Sequence, residues 1–170
     1  MTIEEPPETR PLEIPRALVM LAEALALGGG LIVLAASVLV CISVSLRWAT
    51  SDSIPGDFEL VQIAVALSAF AFFPYCQLRR GNIVVETFTS WLPPRGLACL
   101  EGFWDLFYAF VAAFLAWRLA VGASETIANG TTTMISGIPI GWCIAAVAAM
   151  AAFLAVTALI VGVCRFRRIA

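Results

Sequence analysis

Four long apolar stretches, separated by short polar segments, dominate the chain. An α-helix needs about 20 apolar residues to cross the ~30 Å hydrocarbon core of a bilayer, and each stretch is of that order. The pattern predicts membrane spans at about 17–46, 58–78, 99–123 and 140–164, within a single membrane domain at 17–168. The expected fold class is therefore an all-α membrane protein with four transmembrane helices.

The third stretch is the least regular, because Asp105 and Arg118 interrupt it. The uncharged centre between them is too short to cross a bilayer, so we expect both charges at or close to the interfaces, with Arg118 snorkelling. Aromatic residues recur along this helix in steps of four and three, which marks one face. That face is compatible with lipid, with the other three helices or with a partner protein. Its members are Phe103, Phe107, Phe110, Phe114 and Trp117.

Composition agrees with residence in a membrane. The 170 residues are 61% hydrophobic and 13% charged, with a mean hydropathy of +0.95, whereas an average soluble domain is about 25% charged. Histidine, the commonest metal ligand and proton shuttle, is absent. The five cysteines show no metal-binding or redox spacing. We expect no metal, no cofactor and no nucleic-acid partner for this chain, and no enzymatic activity.

Arginine placement predicts the orientation. Eight of the ten basic residues fall in the N-terminal tail, the second connection or the C-terminal tail, and only Arg47 and Arg118 fall in the other two connections. Arginine-rich connections face the cytoplasm, so an N-in, C-in topology is expected. The tail at 1–16 is acidic and proline-rich, which is typical of a flexible segment and unlike a secretory signal.

The segment between the second and third spans, "LRRGNIVVETFTSWLPPRG" at 78–96, combines basic residues with an apolar centre. Its periodicity predicts a short amphipathic helix at about 81–92 that lies in the cytoplasmic interface. Gly81 can begin the turn, and Pro93 ends the helix. The apolar side chains would enter the acyl chains and the arginines would contact lipid phosphates. The residues concerned are Val85, Phe88 and Trp91, and Arg79, Arg80 and Arg95.

The same segment resembles the signature of the small membrane subunit (DctQ type) of tripartite ATP-independent periplasmic, or TRAP, transporters. The matching positions are Arg79, Arg80, Gly81, Ile83, Val85, Glu86, Leu92, Pro93 and Arg95. Upstream, "LRWATSDSIPGDFEL" is similar to the family's first connection, with matches at Arg47, Trp48, Pro55, Glu59 and Leu60. Two positions depart from the family pattern: Asn82 stands where histidine is frequent, and Glu86 stands where aspartate is usual.

The resemblance implies a small permease subunit in the bacterial inner membrane. It would brace a larger membrane subunit, which holds the substrate and sodium sites, while a periplasmic binding protein delivers an organic acid. Membrane lipids would contact the interfacial helix, from which Glu86 would turn away toward an arginine or a helix end. Arg47 and Glu59 flank the first connection, where they either form a pair or act as two independent charges.

Two other functions are compatible with four spans. One is a stand-alone proton-coupled exporter that uses Glu23, a carboxylate close to the first span. The other is a thiol-oxidising membrane enzyme, which requires a pair of periplasmic cysteines. None of the five cysteines forms a convincing pair in the sequence.

Overall fold

The computed structural model describes residues 15–52, 54–79 and 94–169. These residues form four helices, α1 (Arg16–Thr50), α2 (Asp57–Leu78), α3 (Pro94–Ala128) and α4 (Ile140–Ile169). All four are long and apolar enough to cross a membrane. Within the described residues, β-pairing amounts to one isolated bridge between Thr132 and Pro139. The prediction of an all-helical protein with four helices able to span a membrane is confirmed.

Two predicted features lie outside the described residues: the interfacial helix at about 81–92 and all but the last two residues of the tail at 1–16. The structure differs from expectation in the third helix, which continues to Ala128 instead of ending near residue 123. Arg118 is therefore well inside α3. The helix bounds leave the depth of Arg118 in the membrane a prediction, since they place it only ten residues before the end of α3.

Glycine and proline interrupt the helices at their connections. Gly56, just before α2, has a φ of 78°, and Gly130 and Gly137 between α3 and α4 have φ of 61° and 66°. These are left-handed conformations, which glycine adopts without steric cost. Successive helices consequently run in opposite directions. We call the level of Arg16, Leu78, Pro94 and Ile169 the tail end, and the level of Thr50, Asp57, Ala128 and Ile140 the loop end.

The helices are arranged in the order α1–α2–α4–α3. The main packing contacts are between α1 and α2, between α2 and α4, and between α3 and α4. Burial is greatest in α4, where 44% of the span is buried in the protein, against 22% in α3, 17% in α2 and 6% in α1. Helix α4 is thus the centre of the packing, and α1 and α3 are the two edges.

Small residues at intervals of seven allow α1 to approach α2 closely. Ala22, Gly29 and Ser43 are buried, and Ala36 falls between them in the same series. A Cβ atom at Gly29 would lie 2.9 Å from the Cβ of Ala71 in α2. Between helices in lipid, close packing of this kind is a main source of association, because there is no hydrophobic effect to drive it.

Two glycines of α4 define its register against α3. A Cβ at Gly141 would lie 2.5 Å from the Ile127 side chain, and one at Gly162 would lie 3.1 Å from that of Leu106. The residue numbers in each pair add up to 268, so the two helices are antiparallel with one constant offset along their length. Any residue of α3 can therefore be assigned a level on α4.

Candidate functional site

Polar contacts between helices are concentrated at the two ends of the protein. Of the residues predicted to be functional, the structure places Arg47 and Glu59 at the loop end and Arg79 at the tail end. Arg95 lies in the first turn of α3. The other predicted positions are outside the described residues: Arg80, Gly81, Val85, Glu86, Phe88, Trp91 and Pro93.

At the loop end, Glu59 binds the connection between α3 and α4. Its two carboxylate oxygens accept hydrogen bonds from the backbone N–H groups of Ile135 and Ser136, each at 2.9 Å. Hydrogen bonds to a carboxylate are stronger than those between neutral groups. Glu59 is also in the first turn of α2, where the helix dipole favours a negative charge. The α3–α4 connection is thereby attached to the start of α2.

Gly56 makes room for this contact. It is buried, and a Cβ built on it would lie 2.0 Å from the Ser136 hydroxyl oxygen and 3.5 Å from a carboxylate oxygen of Glu59. Its φ of 78° is a second reason for glycine. We call Gly56, Glu59, Ile135 and Ser136 the loop clamp.

The connection bound by the clamp has its own hydrogen bonds. The N–H of Thr133 donates to the carbonyl of Ile138 at 2.9 Å, and the N–H of Ile138 donates to the Thr133 hydroxyl at 3.0 Å. These bonds close a compact turn, whose tip carries Met134, fully exposed, and Ile135, 65% exposed. The clamp and the turn together hold an apolar tip outside the helices.

A second contact at the loop end joins α1 to α2. The buried Ser43 hydroxyl donates a hydrogen bond to the Asp57 carboxylate, which also accepts the N–H of Phe58 at 2.7 Å. Arg47, one turn after Ser43, acts electrostatically on Asp57. Of the two readings of Arg47 and Glu59 left open by the sequence, the geometry favours separate roles: Arg47 is near Asp57, and Glu59 binds backbone amides.

At the tail end, Glu23 of α1 forms an ion pair with Arg79, at 2.9 Å between carboxylate and guanidinium. Arg79 also lies over the ring of Tyr75, 5.5 Å from its centroid. The hydrogen bond that Arg79 donates to Glu23 raises the pKa of Arg79, so the guanidinium stays charged. The side chains are 60% and 41% exposed, and ion pairs as exposed as this contribute little to stability. The pair joins α1 to the end of α2 at the surface of the protein.

Farther inside the tail end, Gln77 of α2 contacts Asp105 of α3. The buried Gln77 amide donates to the Asp105 carboxylate at 2.9 Å. Sequence reasoning assigned Asp105 to the start of a helix, but α3 begins at Pro94. Asp105 instead links two helices that are not neighbours in the main packing order.

The aromatic residues of α3 point away from the rest of the protein. Ala109, Ala112 and Ala116 are buried on the side that packs against α4. The aromatic side chains are 50% to 69% exposed, and of the five only Trp117 lines the groove between α3 and α4. They are Phe103, Phe107, Phe110, Phe114 and Trp117.

The polar side chains described above connect helices and the α3–α4 connection to one another. Among the residues that the structure describes, no group of three or more Cys, Asp or Glu side chains could hold a metal ion. The polar contacts instead attach α1 to α2, α2 to α3, and α2 to the α3–α4 connection. Sequence reasoning missed each of these pairings, because the partners are between 14 and 77 residues apart.

We expect Glu59→Gln to loosen the loop clamp. The amide retains one carbonyl oxygen, so one of the two amide hydrogen bonds loses its acceptor and the other loses its charge. Hydrogen exchange of the Ile135 and Ser136 amides should accelerate, by about tenfold. The matched control is Glu125→Gln, which removes an exposed carboxylate at the same end. Equal exchange rates in the two variants would show that Glu59 does not hold the connection.

Comparison with known proteins gives one finding. The family model described as "Tripartite ATP-independent periplasmic transporters, DctQ component" matches residues 36–168. The match begins in the second half of α1 and includes α2, α3 and most of α4, with the loop clamp and Arg79 but without Glu23. No curated protein and no solved structure matches the chain significantly.

Proposed function

The chain belongs to the DctQ component family of tripartite ATP-independent periplasmic transporters, and from this premise we propose that it serves as a static scaffold for the large membrane subunit. Family membership makes it the small, multi-pass membrane subunit of a transporter, a component that is not itself an enzyme. In such a system it works with a large membrane subunit and a substrate-binding protein. The scaffold role goes beyond what family membership implies.

The observation that carries this proposal is the way the helices are tied together. The loop clamp holds the α3–α4 connection on α2, and Ser43 and Glu23 tie α1 to α2 at opposite ends. Transporter cores carry broken helices and ion sites near the middle of the membrane. In the part of the chain that the structure describes, all four helices are continuous across their spans. Such a rigid unit suits a brace for a moving partner.

The proposal includes an orientation and a location. Both termini face the cytoplasm of a bacterial cell, and the four helices cross its inner membrane. Arginine distribution supports this, since Arg16 and Arg79 are at the tail end together with the other arginine-rich segments. The segment at 81–92 lies in the cytoplasmic interface, where Arg80 and Arg95 contact phosphates and Trp91 enters the headgroup layer.

The transported substrate is an organic acid whose uptake is driven by sodium, and both bind to the large subunit. Support for assigning these sites to the large subunit comes from three described carboxylates of this chain. Asp57, Glu59 and Asp105 bind a hydroxyl, backbone amides and an amide side chain, respectively.

We expect the tagged chain to capture the large membrane subunit encoded with it when the two are co-expressed and solubilised in a mild detergent. Uptake of the transported acid should require both proteins. Glu23→Gln should leave capture and uptake within about twofold of wild type, because an exposed ion pair contributes little. Absence of capture would contradict the scaffold, and proton-coupled export lost in Glu23→Gln would favour the exporter.

A further inference from the structure

We propose that Arg118 is an intramembrane contact residue, which binds a carboxylate of the large membrane subunit near the middle of the bilayer. The inference rests on the scaffold function and adds the surface through which it acts. That surface is the outward face of α3, with Arg118 at the edge of the aromatic stripe.

The level of Arg118 follows from the register of α3 and α4. With the constant offset between these helices, Arg118 is level with Met150 of α4. The apolar part of α4 runs from Ile140 to Cys164, 25 residues, so its centre is at residue 152. At about 1.5 Å per residue, Arg118 lies only about 3 Å from that centre along the helix axis.

The bilayer leaves little freedom in this placement. Twenty-five helical residues measure about 37 Å, and the hydrocarbon core is about 30 Å thick. Met150, with which Arg118 is level, is ten residues from Ile140, or about 15 Å along the helix axis. Even if the hydrocarbon core were shifted as far toward the tail end as α4 allows, the Cα of Arg118 would remain about 8 Å inside the loop-end surface of that core.

Arg118 faces outward at this depth. It is exposed, and successive residues of a helix are rotated by about 100°, which places it on the side of α3 opposite the buried Ala116. Its guanidinium lies over the ring of Trp117, 5.8 Å from the centroid. Among the described residues, the structure gives it no carboxylate partner, and Glu125 is two turns away on the same helix.

A charge in this position needs an acceptor from outside the chain. An arginine at the centre of a membrane helix is costly to insert, and such residues face protein or water. Snorkelling is hindered here, because the Cα–Cβ bonds of a helix tilt toward its N-terminus. For α3 that direction leads from the nearer, loop-end surface toward the middle of the membrane.

The positive charge of Arg118 also indicates which protein binds the outward face of α3. A second copy of the chain, packed symmetrically through the outward face of α3, would bring two Arg118 side chains together. The substrate-binding protein is not a membrane component. The large membrane subunit is the remaining partner able to present a carboxylate at this depth, and the aromatic stripe supplies the apolar contact around the ion pair.

The test is capture of the large subunit by tagged variants of the full chain in the co-expressed complex. We expect Arg118→Leu to lower capture by at least about tenfold, because removing one member of a desolvated ion pair leaves the other charge buried. Arg118→Lys should retain part of it. Leu34→Ala, on the outward face of α1, is the control and should capture as wild type does.

Several outcomes separate the possibilities. Helix content and thermal unfolding of Arg118→Leu should equal or exceed those of wild type, since the variant removes a charge from an apolar surface. If it fails to fold, Arg118→Glu provides the test: its capture should be restored by replacing one intramembrane acid of the partner with lysine. Normal capture of the large subunit by Arg118→Leu would overturn the inference. A variant that captures normally but has lost a bound anionic lipid in native mass spectrometry would show that Arg118 binds lipid instead. Failure of the wild-type chain to capture the subunit would overturn the scaffold function as well.

Discussion

Replacing Gly29 with leucine is expected to separate α1 from α2. The new Cβ alone would lie 2.9 Å from the Cβ of Ala71 and 3.3 Å from the Ser68 carbonyl oxygen. The backbone atom cannot move without displacing α2, and overpacking a close contact costs about 1–3 kcal/mol or more. We expect a loss of about 3 kcal/mol in the free energy of unfolding, measured by titration with a denaturing detergent.

The neighbouring glycines are the controls for this experiment. A Cβ at Gly28 or at Gly30 would meet no atom within 4 Å. Leucine has a higher helix propensity than glycine by about 0.8 kcal/mol, so Gly28→Leu and Gly30→Leu should be neutral or stabilising on their own. Three consecutive positions thus give opposite signs. Equal destabilisation at all three would contradict the packing of α1 on α2.

Replacing Gly56 with alanine should disrupt the loop clamp. The substitution forces a side chain into the left-handed region, at a cost of about 1–2 kcal/mol. It also places a Cβ 2.0 Å from the Ser136 hydroxyl oxygen and 3.3 Å from the Ser136 Cβ, so the hydroxyl has to rotate away and the α3–α4 connection has to shift by a few tenths of an ångström. Together these effects should lower the free energy of unfolding by about 2–4 kcal/mol.

Gly130→Ala separates the two causes. Gly130 has a similar φ of 61°, but a Cβ there would meet nothing within 4 Å. It should lose only the backbone contribution of about 1 kcal/mol. The additional readout is hydrogen exchange at Ile135 and Ser136, which only Gly56→Ala should accelerate. Identical stability and exchange in both variants would mean that the clamp contributes nothing.

Sequence reasoning predicted the number of helices because the relevant signal is length. Four apolar stretches of spanning length have few alternatives in a bilayer, where every backbone polar group has to be satisfied within a helix. The packing of α1 against α2 could not be predicted in the same way. Gly28, Gly29 and Gly30 together cover most of the helix circumference, and only contact with α2 distinguishes Gly29 from the other two.

The polar contacts could be predicted only in part. Glu59 was selected by its resemblance to a family position, yet its partners are backbone amides, which carry no sequence signal. Glu23 and Arg79 were each assigned separate roles because their pairing depends on how α1 packs against α2. The level of Arg118 along α4 depends on the offset between α3 and α4. Two glycine contacts in the structure give this offset, whereas the periodicity of the sequence does not.

The packing order α1–α2–α4–α3 has a consequence for biosynthesis. The ribosome completes α1 and then α2, which form a contacting pair as soon as both exist. Helix α3 emerges next, with Asp105 and Arg118 in its length, but its principal neighbour is α4, which has not yet been made. The contact with α4 that stabilises α3 can form only after the ribosome has translated α4. We therefore expect α3 and α4 to enter the membrane as a pair, in contrast to stepwise addition.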